Sequence, residues 1–234
     1  MRRVLFVERG LLSMRIGNEK IDLGLTLIDS AQCFRWTRAG DAFGAVLNRE
    51  PVWLAQDECG AIAEGGGRAF LRDYLDLNCD YAAIAREYEA IPIVRSAIES
   101  HPGLRVLNQP PWEALVSFIL SANNNVSRIR KLCLALQTNL GERFDTPRGA
   151  LFAMPGPERL ANCPEETLRA LGTGYRAPYL IQTARRVADG FDLNALSSME
   201  YAEAHRRLCE LPGVGDKVAD CVLLFGCRQP SAFP

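Results

Sequence analysis

Polar and apolar positions alternate along residues 20–27, Lys-Ile-Asp-Leu-Gly-Leu-Thr-Leu, and this period of two predicts a half-buried strand. Shorter β-like runs follow at 32–36, 42–47, 52–55 and 61–63. Gly40 with Asp41, then Arg49, Glu50 and Pro51, then Gly65, Gly66 and Gly67 supply the turns. Short strands in succession predict an antiparallel sheet. From about Arg68 the spacing becomes helical. Residues 112–122 are nearly all apolar and predict a buried central helix. Pro164, with Glu165 and Glu166 behind it, predicts a helix with proline at its first position and acids in its first turn; Gly172 and Gly174 stop it. Pro178 opens another helix that runs to Asp189 and Gly190. Ser197 and Glu200 have capping-box spacing ahead of a helix over 201–210. The predicted fold class is α+β, with an antiparallel β-sheet region and flanking helices over residues 1–100 and a mostly α-helical domain over 101–234.

Composition adds boundaries to this picture. The 234 residues are 48% hydrophobic and 24% charged, the balance of an ordinary globular protein with a sizeable core. No apolar run approaches the roughly 20 residues of a membrane helix. The run at residues 4–7 ends at Glu8 and is too short for a signal peptide, so the chain is expected to be cytoplasmic (nucleoid-associated in a bacterium) or nuclear in a eukaryote, without a membrane partner. The eight cysteines, Cys33, Cys59, Cys79, Cys133, Cys163, Cys209, Cys221 and Cys227, contain no C-x-x-C pair, and there are two histidines; zinc or iron–sulfur sites are not expected, and no cofactor is required. Net charge is −1, so bulk electrostatics do not announce a nucleic-acid binder. Only three of the 27 basic residues are lysines, Lys20, Lys131 and Lys217.

One of these lysines lies in the most informative stretch, residues 211–221, Leu-Pro-Gly-Val-Gly-Asp-Lys-Val-Ala-Asp-Cys. Pro212 stops one helix, Gly213 and Gly215 permit a tight turn, and an apolar helix leads out. Bare amides beside a helix N-terminus form a phosphate site that needs no basic side chain, which lets a near-neutral protein hold DNA. A plain αα-hairpin reads the same way. Lys217 falls in the first turn of the outgoing helix. The dipole and apolar walls there would favour its neutral amine, the form a Schiff-base nucleophile needs. The alternative is a surface lysine snorkelling off the helix start.

These residues resemble the hairpin of the helix-hairpin-helix DNA glycosylases, most specifically the 8-oxoguanine DNA glycosylase/lyase family. The resemblance assigns the nucleophile to Lys217. The alkyladenine-type relatives have no lysine at that position, so glycosylase and abasic-site lyase activity are both implied. It also implies a monovalent cation on the backbone carbonyls of Cys209, Leu211 and Val214, bridging the hairpin to a phosphate.

Further stretches fit the same family. Residues 121–128, Ser-Ala-Asn-Asn-Asn-Val-Ser-Arg, resemble its asparagine-triplet loop. A flipped base leaves a hole in the stack and an orphaned partner. The resemblance puts Asn123 in the gap and Arg128 on the stranded cytosine, while another of the three asparagines caps the next helix. Residues 172–177, Gly-Thr-Gly-Tyr-Arg-Ala, resemble its wedge loop, with Tyr175 inserted beside the estranged base and Arg176 joining Arg128. Residues 30–36, Ser-Ala-Gln-Cys-Phe-Arg-Trp, resemble its Gln-x-Phe-Arg-Trp strand. A backbone carbonyl there accepts the N7 proton that 8-oxoguanine has and guanine lacks. The family often has glycine at that position and this chain has Ala31, which leaves the exact damaged base open. Cys221, one turn after Lys217, would line the base pocket, as a partner in a Lys–Cys dipole or as inert filler.

The implied function is base-excision repair: removal of 8-oxoguanine opposite cytosine from duplex DNA by base flipping, attack by Lys217 and β-elimination through the imine. The partner is double-stranded DNA with oxidised guanine, and the chain is expected to be monomeric. Alternatives are a glycosylase for other damaged bases on the same fold and a non-catalytic helix-hairpin-helix DNA-binding fragment. The family's catalytic Asp follows a proline near Pro234, and the residues stop before it. The expectation is a chain incomplete at its C-terminus and strongly impaired, with Lys217 acting in the parent protein.

Overall fold

The computed structural model describes residues 13–234. The signal-peptide question at residues 1–7 lies outside them. Two compact units emerge. The first takes the chain up to Gln32, Trp36–Leu107 and Thr146–Gly149; the second takes Cys33–Arg35, Asn108–Asp145 and Ala150–Pro234.

In the first unit, β1 (Ser13–Arg15), β2 (Thr37–Ala39), β3 (Ala42–Leu47), β4 (Glu50–Asp57) and β5 (Gly60–Glu64) form one sheet in the order β1-β5-β4-β3-β2. Every neighbouring pair is antiparallel, as the pattern predicts. β3 is buried along its whole length, so both faces of this strand are covered. Gly44 lies opposite Trp53, and a Cβ at Gly44 would fall 2.6 Å from the indole, so glycine makes room for the ring. The β3–β4 turn is Asn48-Arg49, with φ of 48° and 63°, the two-residue turn whose twist suits a hairpin. Glu50 and Pro51, expected in the turn, belong to β4. Three helices follow, α1 (Arg68–Tyr74), α2 (Tyr81–Glu87) and α3 (Pro92–Ser100). Tyr74 of α1 is fully buried and its hydroxyl meets Trp36 Nε1 at 3.1 Å.

Two predicted strands do not form. Residues 20–27 lead into a π-helical turn at Leu25–Asp29. Asp22 Oδ1 accepts the Leu25 amide at 2.8 Å, and the Thr26 amide donates to the Asp22 carbonyl at 2.9 Å. Leu23 and Leu27, four apart, are both buried, so a helical spacing hides inside the alternation. Residues 32–36 are buried but unpaired as a strand. The Gln32 amide replaces a ladder: Nε2 donates to the Arg105 carbonyl at 2.8 Å and Oε1 accepts the Leu107 amide at 2.7 Å.

The second unit is built on α4 (Pro111–Ser121), whose residues Ala114 to Leu120 are all buried. It is followed by α5 (Val126–Leu140), the hairpin strands β6 (Arg143–Thr146) and β7 (Gly149–Phe152), whose connecting turn belongs to the first unit, and then α6 (Pro157–Ala161), α7 (Glu165–Ala170), α8 (Ala177–Ala188), α9 (Tyr201–Cys209) and α10 (Asp216–Gly226). α10 packs on α4, with Phe225 stacked on Phe118 at 5.6 Å between centroids. α8 buries Ala177, Leu180, Ile181 and Ala184, the i, i+3, i+4, i+7 stripe of an amphipathic helix. Two helix starts differ from expectation. Pro164 is the N-cap of α7, one place ahead of the first position. The Ser197–Glu200 capping box does not form: Ser197 lies in a 3-10 turn, its hydroxyl donates to the Asn194 carbonyl at 2.8 Å, and α9 starts uncapped at Glu200.

Candidate active site

The hairpin joins α9 to α10 within the second unit. The Leu211 amide donates to the Leu208 carbonyl at 3.0 Å and the Val214 amide to the Leu211 carbonyl at 3.1 Å, which closes the turn. Leu211 and Val214 point into the core. Gly213 adopts φ 79°, and a Cβ there would sit 2.8 Å from Tyr179 Cβ, so this position needs glycine on two counts. Thr183 of α8 donates its hydroxyl to the Pro212 carbonyl at 2.8 Å. α8 therefore holds the turn through Tyr179 and Thr183. A Cβ at Gly215, by contrast, would meet open space. No side chain caps α10, so its first amides keep their outward donors and the positive end of the helix dipole.

Lys217 sits in the first turn of α10 and is exposed. The apolar walls expected around it are absent: Val218, Ala219 and Val222 turn the buried face of the helix inward, and Lys217 is left on the other side. Cys221 is buried, and burial pushes its thiol up to about 11 despite the nearby Lys217 charge. The raised thiol favours the inert-filler reading of Cys221 over the Lys–Cys dipole.

The asparagine loop separates its three members. Asn125 caps α5 by accepting the Arg128 amide at 2.9 Å, and Asn124 donates to the Leu120 carbonyl at 3.0 Å. Asn123 is exposed in the left-handed region at φ 48°, and its side chain has no hydrogen bond among the described residues. Arg128, in the first turn of α5, is exposed as well.

The wedge loop leans on the asparagine loop. Tyr175 is half exposed, and its hydroxyl donates to the Ala122 carbonyl at 3.1 Å. Arg176 is only 3% exposed. Its Nε donates to the Ala122 carbonyl at 3.0 Å, Nη2 donates to the same oxygen and to the Asn123 carbonyl at 3.1 Å, and Nη1 donates to Thr173 at 3.4 Å. In this structure Arg176 is held under the asparagine loop, and Arg128 is exposed. The reason is local: α4 ends at Ala122, and a helix end leaves carbonyls that want a cationic donor. Tyr175 stacks edge-on against Tyr179, 6.3 Å between centroids, which links this loop to the hairpin.

Sequence reasoning missed Tyr179, although its place four residues after Tyr175 puts both on one helix face. It also missed the pairing of Arg35 with Glu113 in the first turn of α4. In the first unit, Ala31 adopts φ 58°, a region that L-residues other than glycine rarely enter.

The family model for the N-terminal domain of 8-oxoguanine DNA glycosylase matches residues 13–115, and that of the HhH-GPD superfamily of base excision DNA repair proteins matches residues 116–232. The chain is 40% identical over 148 residues to the N-glycosylase/DNA lyase of Saccharomyces cerevisiae, covering 58% of this chain and 39% of that protein. It is 31% identical over 239 residues to the N-glycosylase/DNA lyase OGG1 of Arabidopsis thaliana, covering 94% of this chain and 65% of that one. The chain thus spans less than two thirds of these relatives' length. Its structure is similar to the Clostridium acetobutylicum 8-oxoguanine glycosylase/lyase solved with double-stranded DNA containing cytosine opposite 8-oxoG, with a TM-score of 0.86 at 29% identity over 92% of this chain and 76% of that one. No helix among the described residues is long and apolar enough to cross a membrane. With an 8-oxoguanine glycosylase N-terminal domain followed by a hairpin-bearing helical unit, the chain belongs to the HhH-GPD superfamily of base excision DNA repair proteins, in its 8-oxoguanine DNA glycosylase/lyase family.

Proposed function

We propose that the protein excises 8-oxoguanine opposite cytosine from duplex DNA and cleaves the abasic strand, acting as a monomer in the cytoplasm or nucleus, with Lys217 as its nucleophile. The observation that carries this reading is an exposed lysine in the first turn of α10, beside the uncapped amides of a glycine hairpin. Those amides, at Gly213 and Gly215, take a phosphate. After giving up a proton, the Lys217 Nζ attacks C1′ of the flipped nucleotide; the bond from C1′ to the base breaks, and the base leaves with the electron pair and takes up a proton. Loss of the Nζ proton and opening of the sugar give an imine. Loss of a C2′ proton then expels the 3′ phosphate. Asn123 fills the gap, Tyr175 wedges the stack, and Arg128 reads the cytosine. Arg176 reaches the same place by holding the loop that carries Asn123. Ala31 offers its carbonyl to the N7 proton, and Cys221 lines the pocket as a neutral thiol.

A monovalent cation on the carbonyls of Cys209, Leu211 and Val214 would neutralise part of the phosphate charge. Leu211 accepts one internal amide and keeps a second lone pair for it.

The test uses a duplex with a preformed abasic site opposite cytosine, which isolates the lysine step from base release. Borohydride should trap a covalent complex with the chain, and Lys217→Gln should abolish it. Equal trapping by the variant would overturn the assignment. Binding without trapping by either protein would favour the second reading, a non-catalytic hairpin that grips phosphates. Release of free 8-oxoguanine from an 8-oxoG·C duplex, against an alkylated-base duplex, then settles the substrate class.

A further inference from the structure

A second cluster of reactive side chains lies across the same hairpin, between α9 and α10. His205 and Cys209 are four residues apart on α9, so they share a face; Asp216 and Asp220 are four apart on α10 and share another. The hairpin turns these faces toward each other. Cys209 Sγ lies 3.8 Å from His205 Nδ1 and 3.9 Å from Asp216 Oδ1. His205 Nε2 lies 4.0 Å from Asp216 Oδ1 and 3.9 Å from Asp220 Oδ1. One donor atom each from His205, Cys209 and Asp216 falls within 4.8 Å of the others. Tyr201 donates its hydroxyl to Asp220 Oδ1 at 2.8 Å, which orients that carboxylate beside the imidazole.

We infer that His205, Cys209 and Asp216 form a site for a zinc-class divalent cation, with Asp220 as the carboxylate that orients the histidine. A tetrahedral zinc site with ordinary bond lengths separates its donors by about 3.3–3.6 Å. With Nδ1 of His205 as the ligand and Nε2 toward Asp220, Cys209 Sγ lies a few tenths of an ångström too far from Nδ1 and from Asp216 Oδ1, the three donors lie within 4.8 Å of one another, and Asp216, 93% exposed, swings inward by about an ångström to complete the set. Thiolate with imidazole and carboxylate selects zinc-like cations over potassium, magnesium or calcium. Three protein ligands leave the fourth position to water. Binding expels the thiol proton to solvent as the sulfur–metal bond forms, and the metal keeps its oxidation state.

Charge points the same way. Neither Asp216 nor Asp220 has an ion pair to lysine or arginine among the described residues; His205, the Cys209 thiol and the Tyr201 hydroxyl face them. The nearby Arg206 is taken by Glu203 and Glu210, and Arg207 lies over Phe191. Two carboxylates and a thiol around an imidazole are a set that a dication completes. The site also differs from the carbonyl cation site above: that one uses main-chain oxygens and takes a monovalent ion, while this one uses side chains. The absence of C-x-x-C spacing hides it from a sequence search, because its ligands come from two helices.

Two consequences follow. The cation ties α9 to α10 across the turn that carries Lys217. It also neutralises Asp216, whose carboxylate otherwise stands beside the phosphate-binding amides and repels DNA. The second consequence rests on the phosphate reading of the hairpin; the metal site itself does not.

The experiment is cobalt titration of the EDTA-treated 234-residue chain, read by absorption, with zinc binding by calorimetry and melting temperature alongside. One equivalent of Co²⁺ should give tetrahedral d–d bands and a sulfur-to-cobalt charge-transfer band, both abolished by competing Zn²⁺. Zinc at about a hundredfold excess over its Kd should raise Tm by about 5 °C or more. Cys209→Ser should remove the charge-transfer band, and Cys59→Ser should leave it. Asp216→Asn is exposed enough to fold normally and should weaken zinc at least tenfold; Asp220→Asn should weaken it by about 10–100-fold. No thiolate band at one equivalent, a band that survives Cys209→Ser, or unchanged zinc affinity in Asp216→Asn would each overturn the site. These readouts are independent of Lys217 trapping.

Discussion

Arg176 donates to the carbonyl of Ala122 through Nε at 3.0 Å and again through Nη2, so a buried guanidinium caps the end of α4. The same side chain reaches the Asn123 carbonyl at 3.1 Å and supports the left-handed turn that exposes Asn123. A positioning role has a signature that direct base reading lacks. Arg176→Ala removes the guanidinium's hydrogen bonds to the Ala122 and Asn123 carbonyls, leaves Ala122 only the Tyr175 hydroxyl, and should lower stability by about 2 kcal/mol, alongside weaker binding to duplexes with an abasic site. Arg176→Lys keeps the charge, loses the fork and should recover little of either. A melting temperature unchanged in both variants would show that Arg176 does not hold the loop.

Ala31 occupies φ 58°. The left-handed region costs an L-residue roughly 1–2 kcal/mol, offset in part by the greater freedom glycine has when unfolded. Ala31→Gly should therefore stabilise the chain by about 0.5–1 kcal/mol in urea unfolding. A destabilised variant would mean that the methyl packs more than it strains.

Gly213 carries the opposite burden. Gly213→Ala places a methyl in the left-handed region and against Tyr179, and should cost about 2–4 kcal/mol. In a Tyr179→Gly background, which also removes the Cβ, the overlap disappears and the cost should fall to about 1–2 kcal/mol, the backbone part alone. Equal costs in the two backgrounds would rule out the overlap as a cause.

The Cys221 thiol is raised from an ordinary 9.0 to about 11, and those of Cys133 and Cys227 to about 12, chiefly because burial disfavours the thiolate. The folded state thus holds these protons more tightly than the unfolded state. Their contribution to stability is fully present below pH 9 and is lost as pH rises from 9 through about 11–12. Urea midpoints should be flat in this respect from pH 7 to 8.5 and fall above pH 9, with Cys221→Ala shallower between 9 and 11. At pH 8, iodoacetamide should label the exposed Cys59 well before Cys221; comparable rates would contradict the buried, protonated thiol.

Much of this was legible before any coordinates. Helix α4 announced itself through a nearly unbroken apolar run, the β3–β4 hairpin through runs on either side of a turn, and the α9–α10 hairpin through Pro212, Gly213 and Gly215. These signals are local: residue spacing and backbone permission act over a few positions, so the chain alone carries them. The choice among Asn123, Asn124 and Asn125 was half legible, since one asparagine had to cap α5, but only the folded loop shows that Asn125 and Asn124 are engaged and Asn123 is free. The failures have one physical source. Residues 20–27 and 32–36 look like strands, yet Asp22 nucleates a helical turn and Gln32 takes its hydrogen bonds from chain more than 70 residues away. Ser197 could cap α9 by spacing, but a 3-10 turn claims its hydroxyl.

The sequence by itself determined the fold class, the family and the identity of the hairpin lysine, because periodicity and motif spacing are properties of neighbouring residues. Tertiary structure alone decided that Lys217 is exposed rather than walled in, that Arg176 is buried under the asparagine loop, and that His205, Cys209 and Asp216 converge. Burial and convergence depend on which faces of separate elements meet, and no local pattern along the chain records that.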